Sequence, residues 1–270
     1  MNITVDFKGV PTPWPVRVHR LEMADGCLDE LVTSRRNVKY WHHALRLFRD
    51  VVADIHQMHI AGIAHRDLKS SNVLLFTSRP IGQRGQVADL GRSCRLGDSP
   101  QFHATAYVLG RGDPNYAPPE LILGAGVPDP AAYRFADLYL LGSVLCELAT
   151  GQGATTLLMP NWQHAQQRAM GVPASGRPAM LRAEQAALRP QLAHIADIIR
   201  STAPSSIRTE LAALFKQLCD PEPARRDTRS RRDRNLPHTD LAWLLRRVDI
   251  IHRQFEASGR RAGQRQGSSK

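Results

Sequence analysis

The stretch that decides the fold is His65-Arg66-Asp67-Leu68-Lys69-Ser70-Ser71-Asn72. It brings a carboxylate, an ammonium group and a carboxamide close together, and the apolar run Val73-Leu74-Leu75 follows directly. An amphipathic helix is predicted just before it, ending at Gly62, because apolar side chains recur at steps of three and four. These are Ala44, Leu47, Val51, Ile55 and Met58.

A second polar motif, Val87-Ala88-Asp89-Leu90-Gly91, places a carboxylate 17 residues after Asn72. Carboxylate and amide oxygens on adjacent loops suit Mg²⁺ bound together with phosphate oxygens. Either motif alone is more often a simple turn carboxylate. Their order and spacing make that interpretation the less favoured one.

Together the two motifs resemble the H-R-D-L-K-x-x-N loop and the D-F-G motif of eukaryotic-like Ser/Thr protein kinases. The resemblance implies an α+β, protein-kinase-like fold with a mostly α-helical C-lobe. It also implies that Asp67 is the base for the acceptor hydroxyl, that Lys69 neutralises the transferred phosphoryl group, and that Asn72 and Asp89 hold Mg²⁺. A lysine at the place of Lys69 is typical of Ser/Thr rather than Tyr kinases.

The neighbours of these residues would have structural roles by the same resemblance. His65 and Arg66 flank Asp67, Leu90 replaces the family's Phe as an apolar packing group, and Gly91 closes the motif. Arg66 also indicates regulation by a phosphate on the activation segment. The candidate phosphorylation sites are Ser93, Ser99 and Thr105, with Thr105 preferred.

The ATP-binding residues are also assigned by resemblance. Residues 20–28, Arg-Leu-Glu-Met-Ala-Asp-Gly-Cys-Leu, resemble the family's hinge. Leu21 would then be the gatekeeper, and the backbone of Glu22 and Ala24 would meet the adenine. Leu74 would form the floor of the adenine pocket.

Three further motifs resemble the C-lobe of the family. Gly112-Asp113-Pro114-Asn115-Tyr116-Ala117-Pro118-Pro119-Glu120 resembles G-T-P-x-Y-x-A-P-E, so Glu120 should pair with a buried arginine, for which Arg226 is the choice. Asp137 begins a pattern similar to D-x-W-S-x-G and would accept backbone hydrogen bonds from the catalytic loop. Asp113 departs from the family's Thr and would bring like-charge repulsion to Asp67.

The first 66 residues hold neither a glycine-rich phosphate loop nor a lysine suitably placed to anchor ATP. The sequence therefore resembles a kinase catalytic domain that is truncated at its N-terminus and lacks helix C. The predicted organisation is a remnant two-strand N-lobe with the hinge in residues 1–23, a C-lobe in residues 24–256, and a basic disordered tail in residues 257–270. The two strands are predicted at about residues 3–7 and 16–21.

Composition limits the other classes of function. The 270 residues carry a formal net charge of +11, mostly through arginine, and four widely spaced cysteines. Cysteine spacing argues against a zinc ribbon or a disulfide framework and fits a reducing compartment. Since no secretory signal and no apolar run of membrane-spanning length are visible, a cytoplasmic location is expected. No membrane partner is expected, and a nucleic-acid partner is not favoured, because acidic residues interrupt the arginines of residues 225–234.

The expected partners are ATP, Mg²⁺ and a protein substrate, whose identity the sequence does not specify. One alternative is a non-catalytic pseudokinase or scaffold that binds a protein through its C-lobe. A small-molecule phosphotransferase of related fold is a third interpretation. Metal binding by His42, His43, His56 and His59 is not favoured, since no third type of ligand is evident among them.

Overall fold

The computed structural model describes residues 2–5, 14–17, 22–34, 36–78, 82–96, 112–125, 130–229, 235 and 237–267. The strands are β1 (Asn2–Val5), β2 (Trp14–Arg17), β3 (Gly26–Cys27), β4 (Ile63–Ala64), β5 (Val73–Ser78), β6 (Gly82–Val87) and β7 (Cys94–Arg95). The helices are α1 (Leu28–Val32), α2 (Val38–Ile60), α3 (Pro119–Ile122), α4 (Pro130–Thr150), α5 (Ala154–Leu158), α6 (Trp162–Met170), α7 (Arg177–Thr202), α8 (Arg208–Leu218), α9 (Pro223–Arg226) and α10 (Ala242–Gly267).

The strands form small antiparallel sheets. β1 pairs with β2 in register Asn2 to Arg17, β4 pairs with β7, and β5 lies between β3 and β6. The N-terminal strand pair is present as predicted, although β2 begins at Trp14 and so lies earlier in the chain than expected.

Within the ranges described, no helix is long and apolar enough to cross a membrane.

Helix α2 packs against the three-stranded sheet of β3, β5 and β6. Asn37 begins this helix, and its side chain accepts a hydrogen bond from the Tyr40 amide. Its buried stripe includes Leu47, Val51 and Ile55, as the spacing predicts. On the neighbouring face, Asp50 and Asp54 accept the backbone N–H groups of Gly85 and Val87 in β6, at 3.1 and 2.8 Å. The two carboxylates thus accept hydrogen bonds from backbone N–H groups on the outer edge of the sheet.

Helix α4 forms the centre of the C-lobe and is buried along most of its length. Gly142 allows helix α8 to approach it closely. A Cβ atom at Gly142 would lie 2.6 Å from Cys219 Sγ and 2.8 Å from Leu218 Cβ. A larger residue would therefore force the two helices apart.

The C-terminal segment differs from the sequence prediction. Residues 257–267 were expected to be disordered, but they continue helix α10 to Gly267. The apolar stripe on which the prediction relied ends at Phe255, yet an existing helix extends at little cost when arginine, alanine and glutamine follow. The other domain boundaries stay predictions.

Candidate active site

The backbone before Asp67 is held by Asp137, the fully buried acid of α4. One oxygen of its carboxylate accepts the Arg66 amide at 2.8 Å. The other oxygen lies 2.8 Å from both the His65 amide and His59 Nε2. A single carboxylate thus joins the end of α2, the polar loop and α4.

His65 links the polar loop to the segment before Asp89. Its Nδ1 accepts the Asp67 amide at 3.2 Å, and its Nε2 lies 3.0 Å from the carbonyl oxygen of Ala88. Since one nitrogen must accept while the other donates, these contacts require the neutral ring with its proton on Nε2. The Ala88 amide in turn donates to the carbonyl oxygen of Asn72.

Arg66 adopts the left-handed backbone conformation with φ 70°, which is uncommon for a residue other than glycine. Its guanidinium lies 4.3 Å from the centre of the Tyr133 ring, and the residue is buried. The strained backbone is held in place by the hydrogen bond from the Arg66 amide to Asp137. Strain that the surrounding structure enforces is typical of functional sites.

The Asp67 carboxylate contacts two other segments. Its Oδ1 accepts the backbone amide of Asp113 at 3.0 Å, and its Oδ2 lies 3.0 Å from Arg92 Nε. Gly112 has φ 106°, and a Cβ there would lie 3.5 Å from the Arg66 carbonyl oxygen. The chain can therefore turn closely past the polar loop and present the Asp113 amide to Asp67.

Lys69 and Asn72 lie on the same loop as Asp67. The Asn72 side-chain amide donates to the carbonyl oxygen of Asp67 at 2.8 Å. Lys69 Nζ lies 3.6 Å from Asp113 Oδ2, while Asp113 Oδ1 accepts the Asn115 amide. The Asp113 carboxylate therefore forms an ion pair with Lys69, which offsets the repulsion of Asp67 that the sequence predicts.

Asp89 lies at the start of a 3₁₀ turn, Leu90–Arg92, in the left-handed conformation with φ 59°. Its exposed carboxylate accepts the Gly91 amide at 3.3 Å, and a Cβ on Gly91 would approach the same oxygen to 3.2 Å. Leu90 was expected to pack as an apolar group, but its side chain is 54% exposed. The turn directs it away from the described core.

A buried network of polar side chains connects the polar loop to α4. Ser70 donates to Glu147 of α4 at 2.9 Å, and its oxygen lies 3.4 Å from the Tyr116 hydroxyl. Burial raises the pKa of Glu147, although hydrogen bonds from Tyr116 and Ser70 act in the opposite direction. Burial, with the nearby Glu147 charge, also raises the pKa of Tyr116 well above its usual value.

Glu120 and Arg226 form a buried bidentate ion pair. The two guanidinium nitrogens lie 2.6 and 2.9 Å from the two carboxylate oxygens. Arg226 is fully buried and also donates to the carbonyl oxygens of Asp220 and Phe135. Burial alone would lower the pKa of Arg226, but the Glu120 carboxylate outweighs burial and raises that pKa above its ordinary value. The pair ties α3 to α9 and to the start of α4.

A family model described as "Protein kinase domain" matches residues 17–234. The chain belongs to the protein kinase domain family. This result confirms the resemblance drawn from the two polar motifs, and it excludes the small-molecule phosphotransferase as the family assignment.

Curated relatives of this kinase domain include bacterial and animal proteins. It is 35% identical over 112 residues to the serine/threonine-protein kinase PkaB of Streptomyces coelicolor, covering 40% of this chain and 25% of that protein. It is 40% identical over 96 residues to the serine/threonine-protein kinase Pkn1 of Myxococcus xanthus, covering 35% of this chain and 13% of that protein. It is 30% identical over 159 residues to mitogen-activated protein kinase kinase kinase 4 of Mus musculus, covering 54% of this chain and 9% of that protein. The chain thus spans a quarter or less of the length of these relatives.

A solved structure shows the same fold. A chain in the crystal structure of the yeast RNA Pol II CTD kinase CTDK-1 complex matches with a TM-score of 0.52 and 18% identity, covering 77% of this chain and 66% of that chain. At this identity the similarity concerns the fold alone. It confirms the α+β kinase-like fold predicted from the sequence.

The predicted ATP-binding residues of the kinase domain are described only in part. Leu21 lies outside the described residues, Glu22 is exposed and Ala24 is half-buried. Leu74 is half-buried in β5, where it pairs with Cys27 of β3. Their contacts with adenine stay predictions, as do the roles of the catalytic and metal-binding residues.

Of the candidate phosphorylation sites, Ser99 and Thr105 also lie outside the described residues. Ser93 is described, and its hydroxyl donates to the carbonyl oxygen of Leu90 at 2.7 Å. That hydroxyl therefore closes the 3₁₀ turn after Asp89.

Sequence reasoning missed three residues of the site. His59 contacts Asp137, Glu147 receives the Ser70 hydroxyl, and Arg92 pairs with Asp67. A signal for His59 existed, because it stands on the buried stripe of α2, six residues before His65. Arg92 carries no comparable signal, since its contact depends on how two separate loops approach each other.

Proposed function

We propose that this kinase domain transfers the γ-phosphoryl group of Mg-ATP to Ser or Thr hydroxyls of a protein substrate. The observation that carries the proposal is the supported position of Asp67. Asp137 holds the backbone of the two preceding residues, and Asn72 binds the Asp67 carbonyl oxygen. A general base needs such a fixed position, because it must stay within hydrogen-bond reach of the proton that it removes.

In the proposed step, the acceptor hydroxyl oxygen bonds to the γ-phosphorus while the bond from that phosphorus to the bridging oxygen of ADP breaks. ADP leaves with the electron pair of that bond. Asp67 accepts the hydroxyl proton, and Lys69 lies two residues further along the same loop to stabilise charge on the phosphoryl group. Its ion pair with Asp113 orients the ammonium group before substrate binds.

Asn72 and Asp89 would hold Mg²⁺, and their donor atoms fit this ion, which prefers oxygen ligands. The Asn72 amide uses its nitrogen for Asp67, not the oxygen that a cation requires. Asp89 presents an exposed carboxylate. When bound, the ion neutralises negative charge on the phosphates of ATP. Adenine would meet Leu21, Glu22, Ala24 and Leu74.

Arg92 pairs with Oδ2 of Asp67 and would compete there with a substrate hydroxyl. In the proposed cycle Arg92 leaves Asp67 before the acceptor binds. The same pair is the observation that favours the alternative, a scaffold that binds a protein partner without catalysis.

The partners proposed for the whole protein are ATP and a protein substrate, and its proposed location is the cytoplasm. Cys27, Cys94, Cys146 and Cys219 are free thiols, as a reducing compartment requires. Nucleic acid is not a proposed partner, because the arginines that the structure describes within residues 225–234 are paired with acids. Arg229 forms a bidentate pair with Asp227, and Arg225 pairs with Glu222.

Mg²⁺-dependent nucleotide binding tests the proposed site directly. Calorimetric titration with ATP at increasing Mg²⁺ should show affinity that rises with the Mg²⁺ concentration. Asp89→Asn should largely remove that dependence, because the variant lacks the carboxylate that would bind the ion. Asp197→Asn serves as a control, since Asp197 is an exposed acid of α7 paired with Arg200. Mg²⁺-independent binding in both proteins would contradict the role assigned to Asp89.

A further inference from the structure

Two histidines and a glutamate meet on the outer face of the C-lobe, away from the kinase motifs. His42 lies near the start of α2, and His252 and Glu256 lie on α10. Since His252 and Glu256 are four residues apart, they share one face of their helix. Each residue offers one ligand atom, and the three atoms lie within 4.8 Å of one another.

The separations of these groups are somewhat longer than those around a tetrahedral metal ion. His252 Nε2 lies 3.4 Å from His42 Nδ1, and Glu256 Oε1 lies 3.7 Å from His42 Nε2 and 3.8 Å from His252 Nε2. A tetrahedral Zn²⁺ with bonds of about 2.0–2.1 Å places its ligands about 3.3 Å apart. An octahedral ion with the same bonds would need about 2.9 Å. Because Nδ1 of His42 faces His252 while its Nε2 faces Glu256, metal binding requires the His42 ring to turn until one nitrogen faces both partners.

The two histidine rings of this set pack against neighbouring aromatic side chains. The His42 ring packs edge-on against His252, with ring centres 5.1 Å apart, and against Phe255 at 5.8 Å. His252 is only 20% exposed, and Glu256 is 36% exposed. A cleft of about 620 Å³ opens beside them, so a water molecule can reach the fourth position of a bound ion.

Charged groups around the cleft are of both signs. Lys39 and Arg46 line it together with His43. Arg46 donates to the carbonyl oxygen of Gln83, and Asp249 of α10 pairs with Arg49 of α2. Glu256 is the acid among the described residues that line the cleft, so its carboxylate would bind a cation there.

We propose that His42, His252 and Glu256 bind one Zn²⁺ ion that fastens α2 to α10. Two imidazoles and one carboxylate are a ligand set that Zn²⁺ adopts, with water in the remaining position. The ion would join the N-terminal part of α2 to a helix that follows it by about 200 residues in the chain. Its binding would stabilise the folded chain, because the unfolded chain does not bring the three ligands together.

The experiment uses the 270-residue chain without an affinity tag, stripped with a chelator and then titrated with Zn²⁺ alone. Calorimetry should give one site per chain. Substitution of Co²⁺ should give the visible absorption of a tetrahedral ion with nitrogen ligands. Saturating Zn²⁺ should raise the melting temperature by about 5 °C.

Two variants and one control complete the design. His252→Ala and Glu256→Gln should each weaken Zn²⁺ binding at least about tenfold and abolish the rise in melting temperature. His194→Ala, which removes an exposed histidine of α7, should behave as the wild type. All proteins should show the same metal-free far-ultraviolet circular dichroism, and Glu256→Gln retains the size of the glutamate if His252→Ala fails to fold.

The proposal would be overturned by Zn²⁺ affinity that is the same in Glu256→Gln and wild type, or by an octahedral Co²⁺ spectrum. Absence of a one-to-one complex in the wild type would also overturn it. The three side chains would then form only a hydrogen-bonded histidine pair with Glu256 at ion-pair distance.

Discussion

Arg92 places its guanidinium nitrogen Nε 3.0 Å from Oδ2 of Asp67. The carboxylate is nearly buried, with 6% of its side chain exposed, whereas the Arg92 side chain is 37% exposed. The arginine follows Asp89 by three residues and lies in the same 3₁₀ turn. The proposed base and the proposed metal-binding segment are thus joined by one ion pair.

We expect Arg92→Ala to raise kcat about two- to fivefold, because a partly exposed ion pair of up to about 1 kcal/mol no longer competes for Asp67. Steady-state phosphotransfer from Mg-ATP to a generic Ser/Thr-rich protein measures this effect. Arg95→Ala is the matched control, since Arg95 is an exposed arginine in β7, the next strand along the chain. A fall in kcat for Arg92→Ala would instead show that Arg92 assists the reaction.

The Glu120–Arg226 pair should be essential for the stability of the C-lobe. Arg226→Met leaves the Glu120 carboxylate buried without its cation, and we expect unfolding free energy to fall by about 3–5 kcal/mol. Urea denaturation followed by tryptophan fluorescence measures the change. Adding Glu120→Gln to Arg226→Met should restore part of the loss, since the uncompensated buried charge is removed. A loss below about 1 kcal/mol in the single variant would contradict a structural role for the pair.

Glu147 should give the folded chain a pH dependence of a defined sign. Burial raises its pKa above the ordinary value of 4.5, so the folded chain binds this proton more tightly than the unfolded chain. The resulting stabilisation is fully present below pH 4.5 and is lost as pH rises through the raised folded pKa. Glu147→Gln cannot titrate and lacks this contribution.

Unfolding free energy measured in steps across weakly acidic pH should therefore decline with rising pH more steeply in the wild type than in Glu147→Gln. Ser70→Ala removes a hydrogen bond that lowers the Glu147 pKa, and it should extend the decline to higher pH. Parallel curves for wild type and Glu147→Gln would contradict this assignment.

The sequence alone was enough to predict the family, the amphipathic helix before the polar loop of residues 65–72 and the Glu120–Arg226 partners. These features depend on residue types at fixed spacing, and spacing is visible in a sequence. The pairing of Asp113 with Lys69 was not predicted, because a carboxylate can turn away from one charge and towards another within a single loop. Likewise, the exposure of Leu90 and the Arg92–Asp67 contact depend on tertiary packing between segments.

The helical continuation beyond Phe255 was missed for a different reason. An apolar stripe marks the part of a helix that packs against a core, whereas an exposed helical extension needs only residues that favour helix. The metal-ligating set was also hidden from the sequence, because His42 is separated from His252 and Glu256 by most of the chain.

Phosphotransfer by Asp67→Asn tests the central claim most directly. Transfer of the labelled γ-phosphoryl group of Mg-ATP to a Ser/Thr-rich protein would be compared between wild type and Asp67→Asn, with matched far-ultraviolet circular dichroism to confirm folding. The account predicts measurable transfer by the wild type and a rate about 10²–10⁴ times lower in the variant, the range expected for loss of a general base. An unchanged rate in Asp67→Asn, or no transfer by the wild type above background, would contradict it.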